Sequence, residues 1–182
     1  MKKLMIIAAA VACAIGANAA SIDWKLNATP SVKILGSDNK IFAGDAYLIL
    51  SSYESDIVKT FASKTFDGLG TTGVVGDHKT ISSSTGAITG NTASSATLMP
   101  EEGGTYNFKV LLVETDKDGN VVKYFTTSAM DAITTKGSTP GTAQFQATTY
   151  SGGSGWQTVP EPTSGLLLLL GVAGLALRRR RA

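Results

Sequence analysis

The strongest constraint on this chain sits at its C-terminus. An apolar run from Leu166 to Leu177 ends in Arg178, Arg179, Arg180 and Arg181. A run with no polar face does not serve as the surface helix of a globular domain. The arginines hold its end on the cytoplasmic side of a membrane. The run falls short of the ~20 apolar residues that cross a ~30 Å hydrocarbon core. Thr163, Ser164 and snorkelling arginines extend it to a short transmembrane segment. Any folded body must therefore lie upstream.

The N-terminus sets the other limit. Met1-Lys2-Lys3 is a positive n-region, Leu4 to Ile15 is an apolar h-region, and Ala17-Asn18-Ala19 has the small-x-small pattern a signal peptidase reads. Cleavage after Ala19 or Ala20 leaves a body beginning near Ser21, and residues 1–20 are read as a signal peptide. The only cysteine, Cys13, lies in the h-region and leaves with it, so the body has neither a disulfide nor a cysteine nucleophile. An alternative makes Ala10-Val11-Ala12-Cys13 a lipobox with Cys13 lipidated. Leucine is usual at its first place, and apolar sequence continues past Cys13.

Just ahead of the apolar run stands Pro160-Glu161-Pro162. Motif, apolar segment and arginine cluster together resemble the PEP-CTERM sorting signal of Gram-negative bacteria. The resemblance covers residues 160–182 and not the body. It assigns Pro160, Glu161 and Pro162 to the sorting motif and Arg178 to Arg181 to the transmembrane stop. It implies processing by an exosortase, a membrane-embedded cysteine transpeptidase-like enzyme. The implied route is export, an inner-membrane intermediate held by the tail, then the cell surface or medium.

About 140 residues remain between the signals, enough for one domain with a core. Ser21 to Val159 carries ten lysines, no arginine and thirteen acidic residues, a net charge of −3. Nucleic-acid binding lacks its usual basic stripe there. Abundant Ser, Thr and Gly suit an exported β-protein with polar outer faces.

Along this body, Ile22 to Leu26 alternates apolar and polar residues and predicts a half-buried strand with Trp24 as core anchor. Ser31 to Leu35 is extended, and Gly36-Ser37-Asp38-Asn39 is a turn. Ala46 to Leu50, apolar throughout, predicts a central strand. Ser55 to Phe66 repeats apolar residues at helical spacing, with Ser55 or Asp56 as cap, and predicts a short helix crossing one end of a sheet. The alternative is a strand from Ile57 to Phe61. Residues 68–95 are weakly patterned and read as loop, with short edge strands at Val74-Val75 and Lys79 to Ile81. Thr105 to Glu114 is the clearest strand, with Tyr106, Phe108, Val110 and Leu112 on one face. Asp116 to Asn120 turns the chain and Val121 to Thr127 returns, a hairpin signalled by Asp118-Gly119. Ala143 to Tyr150 alternates with Phe145 inward, and residues 151–159 open with the Gly/Ser-rich spacer Ser151 to Gly155. Trp156 to Val159 either adds a last strand or simply leads into the sorting motif.

The candidates for chemistry are sparse. His78, the single histidine, sits in a polar loop and no Gly-x-Ser-x-Gly elbow accompanies it. Asp116-x-Asp118-Gly119-Asn120 alternates oxygen ligands as a calcium loop does, but Thr127 stands where such a loop carries glutamate. Glu101-Glu102 are adjacent, whereas the carboxylates of a glycoside hydrolase face each other ~5–9 Å apart. Trp24 and Trp156 either stack on sugars or are buried. No catalytic, cofactor-binding or metal residue is assigned.

The expected fold is mostly β, an antiparallel β-sandwich with one short helix, spanning residues 21–150. The expected function is structural or adhesive at the cell surface or in the extracellular matrix. The alternative is a carbohydrate-binding module that holds extracellular polysaccharide, followed by a secreted hydrolase. Exposed aromatics on a flat face favour the module, and buried aromatics favour the structural role.

Overall fold

The computed structural model describes residues 20–27, 33–81, 86–135, 141–146 and 155–159. The chain is mostly β. Its strands are β1 (Ser21–Asn27), β2 (Gly44–Leu50), β3 (Lys79–Ile81), β4 (Ile88–Ser94) and β5 (Thr105–Thr115), then β6 (Val121–Thr126), β7 (Met130–Ile133), β8 (Gly141–Gln146) and β9 (Gln157–Thr158). Among the described residues there is one α-helix, α1 (Glu54–Ala62), which follows β2 through a 3-10 turn at Ser51–Tyr53. A smaller sheet has the order β4-β1-β8, and a larger one the order β3-β2-β5-β6-β9 with β7 also on β5.

β5 organises the larger sheet. One edge pairs antiparallel with β2, from Asp45↔Val113 to Leu50↔Phe108. The other edge is shared, with β6 taking Leu111 to Thr115 and β7 taking Thr105 to Phe108. Thr127 fills the gap between them. Its N–H donates to the Val110 carbonyl (3.0 Å), and its hydroxyl accepts from the Val110 N–H (2.9 Å). A threonine is thus buried there with its backbone and side-chain groups both bonded.

Period-two alternation sends β2 and β5 into two cores. Ala46, Leu48, Leu50, Phe108, Val110 and Leu112 join Ile22, Trp24 and Leu26 of β1 in a core shared by both sheets. Tyr47, Ile49, Leu111 and Val113 point the other way and meet Ile57 and Phe61 of α1. Strands buried on both faces read as continuous apolar runs, which is why β2 stood out in the sequence, whereas β5 was read from one face alone and its second, Leu111 and Val113, is also buried. The helix lies over the outer face of the larger sheet, not across one end as expected, because that face is apolar and needs a cover.

Neither Ser55 nor Asp56 caps α1; its N-cap is Tyr53, with no side-chain cap bond. Glu54 anchors the start instead, accepting hydrogen bonds from Lys109 of β5 and Thr126 of β6. Burial acts to raise the Glu54 pKa, but these two bonds and the Lys109 charge outweigh it and the carboxyl titrates below its usual range. At its other end the chain turns through Lys64, whose φ is 56°, and the Thr65 N–H returns to the Thr60 carbonyl (2.9 Å).

Three differences from the sequence reading concern strands. β4 lies in the stretch read as loop, because a bulge hides its period. Trp24 faces Asn91 while Leu26 faces Ile88, so β4 carries one extra residue. Ile88 and Ala93, an odd number of places apart, both reach the core across that bulge. β7, four residues long, carries one fully inward residue, Ala132. β8 starts at Gly141 and pairs parallel with β1, from Ile22↔Gly141 to Asn27↔Gln146, where only antiparallel pairing was expected. Gly141 suits that position, since a Cβ there would sit 1.8 Å from the Ile133 carbonyl oxygen. Residues 147–154, including most of the spacer, and residues 31–32 lie outside the described residues.

Phe108 is fully buried, so Phe108→Ala is expected to cost ~3–5 kcal/mol in urea unfolding of the purified protein; a loss below about 1 kcal/mol would contradict its core position. Because the folded pKa of Glu54 lies below its unfolded value, its contribution is present above about pH 4.5 and fades as pH falls through the folded pKa. Glu54→Gln is expected to be less stable than wild type at pH 7, with a shallower loss between pH 6 and pH 3. Parallel pH–stability curves would show that the ionisation of Glu54 adds no stability.

Candidate functional site

The described chain ends at the edge of the larger sheet, where β9 lies antiparallel on β6 with Lys123 opposite Thr158 and Tyr124 opposite Gln157. Of the two readings of Trp156 to Val159, the last strand is the one present, in a shorter form. Trp156 and Val159 point to opposite sides. The Trp156 ring packs against Phe42 (centroids 5.4 Å) and Phe125 (5.9 Å), beside the core between the sheets. Its indole N–H donates to the Leu35 carbonyl (3.1 Å). Val159 is buried in the helix-side core, and its N–H donates to the Val122 carbonyl (3.0 Å). The Tyr124 hydroxyl donates to the Gln157 side chain.

A tight hairpin supports this edge. Leu35 and Ile41 form a bridge, and the expected turn lies between them, closed by the Gly36 N–H on the Lys40 carbonyl (2.8 Å). Asn39 takes a positive φ of 61°, which asparagine tolerates better than most residues. The Lys40 backbone N–H is the main cause holding the Asp38 carboxyl below its usual range. Ser37 donates through its N–H (2.8 Å) and its hydroxyl (2.7 Å) to the Glu114 carboxylate, and accepts from Lys123 (2.9 Å). Lys123 is also the residue opposite Thr158, so the polar clamp of the hairpin, β5 and β6 lies beside β9. A 340 Å³ cleft opens beside the hairpin, lined by Ser37, Asp38, Lys40, Phe42 and Glu114. Phe42 is 2 % exposed and offers no free ring face there.

The sequence candidates fall elsewhere. His78 is exposed, 3.8 Å from Asp45 and beside the Tyr47 ring (5.5 Å). Asp45 also accepts from the Thr80 hydroxyl (2.8 Å), which ties β2 to β3. The Asp116 carboxylate accepts from the N–H groups of Asp118 and Asn120 (2.9 Å each) and from the Asn120 side chain. The Asn120 side chain, first among these, lowers its pKa. This is the bonding of a closed turn, with oxygens aimed inward. Glu101 and Glu102 are exposed in a separate turn. Trp24 is fully buried, with no partner for its indole N–H among the described residues. Among the described residues no group of three or more His, Cys, Asp or Glu could hold a metal.

Ala20 is fully buried in the core between the sheets, and the Ser21 N–H donates to the Thr135 carbonyl (2.8 Å). Ala19, the sorting motif Pro160 to Pro162, the apolar run and Arg178 to Arg181 lie outside the described residues. Among the described residues no helix is long and apolar enough to cross a membrane. The sequence reading missed the Ser37–Glu114–Lys123 clamp, whose members are far apart in the chain. Only the two-faced pattern of Trp156 and Val159 hinted at the docking of β9.

Residues 158–181 match the PEP-CTERM protein-sorting motif. The motif marks a bacterial chain exported and sorted through an exosortase, with a tail that associates with a membrane. The match begins at Thr158, inside β9. No curated protein and no solved structure matches the chain.

Gly119 has φ 83° and nothing within 4 Å of the place a Cβ would take, so Gly119→Val tests the backbone alone. A loss of roughly 1–2 kcal/mol is expected. Millimolar calcium is expected to leave the Tm unchanged; a rise of several degrees would show the turn to be a metal loop.

Proposed function

We propose that the protein is a non-catalytic surface or matrix component, delivered through its tail and acting by presenting a stable β-domain outside the cell. On this reading residues 1–19 are a cleaved leader. Cutting after Ala19 keeps Ala20 in the core, whereas cutting after Ala20 removes a buried residue. The run from Leu166 to Leu177 then holds the chain in the inner membrane until an exosortase releases it. Export exposes the protein to few reductants, and a body without cysteine is indifferent to that.

The observation that carries the structural reading is where the aromatic rings go. Trp24, Phe42, Phe61 and Phe108 are buried, and Trp156 is spent against Phe42 and Phe125. A carbohydrate-binding face needs such rings turned outward in a plane. Among the residues whose side chains are described, each aromatic other than His78 is buried or half-buried; the Phe145 side chain lies outside them.

Two measurements test the proposal. The protein released by native cells is expected to give no saturable signal on a glycan array; micromolar binding of one glycan class would replace the structural reading with the carbohydrate module. Changing Pro160-Glu161-Pro162 to alanines is expected to leave a full-length, membrane-retained form. Release of that variant at the wild-type level would sever the motif from sorting.

A further inference from the structure

Aspartate precedes glycine at two places in the chain, Asp67-Gly68 and Asp118-Gly119. By local sequence the two pairs are equal, and the structure separates them. We propose that Asp118 is a modification site, where aspartate isomerises spontaneously to isoaspartate in the folded protein, and that the fold shields Asp67 from the same reaction. The inference stands apart from the delivery and the surface role proposed above.

The reaction needs no reagent but water. The Gly119 nitrogen attacks the side-chain carboxyl carbon of Asp118 and a C–N bond forms. One carboxyl oxygen leaves as water, taking the amide proton and the acid proton. Water then opens the five-membered imide. Attack at the main-chain carbonyl breaks the original peptide bond and leaves the chain running through the Asp118 Cβ, whereas attack at the side-chain carbonyl restores aspartate. Glycine permits the first step because no side chain screens its nitrogen. The step also asks for a carboxyl free to swing back and a backbone free to rotate.

Asp118-Gly119 meets both demands. Both residues are exposed. The Asp118 N–H is bonded to Asp116, but among the described residues its carboxylate has no hydrogen bond or ion pair. Nothing lies within 4 Å of the place a Cβ would take at Gly119, so no neighbour blocks rotation there. The Gly119 N–H is held by the Asp116 carbonyl (3.1 Å), and an exposed turn opens at little cost.

Asp67-Gly68 meets neither, although Asp67 is exposed as well. The Asp67 carboxylate accepts from the Thr71 hydroxyl (2.9 Å), and the Asp67 N–H donates to the same oxygen (3.3 Å). Gly68 is buried with φ 69°, and a Cβ there would sit 3.1 Å from the Tyr47 ring. Its carbonyl accepts from the Thr71 N–H (3.0 Å). Rotation at this pair would lift the backbone off Tyr47 and break the Thr71 bonds together.

The test is peptide mass spectrometry of the purified protein after weeks in warm, neutral buffer, with electron-transfer fragmentation to tell isoaspartate from aspartate. In the folded protein isoaspartate is expected to build up at Asp118 about tenfold faster than at Asp67, a barrier difference of ~1.4 kcal/mol. In concentrated urea the two rates are expected to converge. Thr71→Val is expected to raise the rate at Asp67 and to leave that at Asp118 unchanged. Equal rates in the folded protein, or a faster rate at Asp67, would overturn the inference. So would an Asp118 that isomerises only in urea, or a tenfold gap that persists there and so owes nothing to the fold. A Thr71→Val protein with the wild-type rate at Asp67 would overturn the shielding assigned to Thr71.

Discussion

The structure depends on one strand being buried on both sides. β5 sends Phe108, Val110 and Leu112 into the core between the sheets and Leu111 and Val113 into the core under the helix. Each fully buried aliphatic or aromatic side chain contributes roughly 1.5–3 kcal/mol, so this strand is a large share of both cores. It also fixes geometry, because β2, β6 and β7 take their register from it. Moving β5 by one residue would exchange its two faces and fit neither core.

What the sequence made legible follows from this. Strands with unbroken apolar runs or clean alternation were readable: β1, β2, β5 and β6. So was the turn at Asp118-Gly119, where one residue must take a positive φ. β4 was not legible, since its extra residue puts Ile88 and Ala93 out of phase for a regular strand. The parallel partner β8 was unreadable for another reason, as direction relative to β1 leaves no mark on local alternation. The helix was visible in its spacing, but its anchor was not. Glu54 lies before the expected cap and finds Lys109 and Thr126 only after the sheet exists.

The delivery signal was legible in a different sense. Pro160-Glu161-Pro162, the apolar run and the arginines are contiguous, so local sequence carries the whole pattern. The edge on which the tail is mounted is built from residues far apart. Ser37 and Glu114, or Trp156 and Leu35, meet only through the fold. A motif in one stretch can be read from one stretch, whereas a clamp closed across the chain needs the sheet first.

The smaller sheet has a consequence for the order in which the protein becomes itself. Its middle strand, β1, is the first part of the body to leave a ribosome or a membrane pore, yet both neighbours come late. Ile22 must wait for Ala93 on one side and for Gly141 on the other. Loops of that length close slowly, and a topology rich in such pairings folds slowly. The N-terminal strand therefore keeps one edge open until β4 has emerged and the other until β8 has. A chain wired in this way closes its smaller sheet only after nearly all of its body has been made.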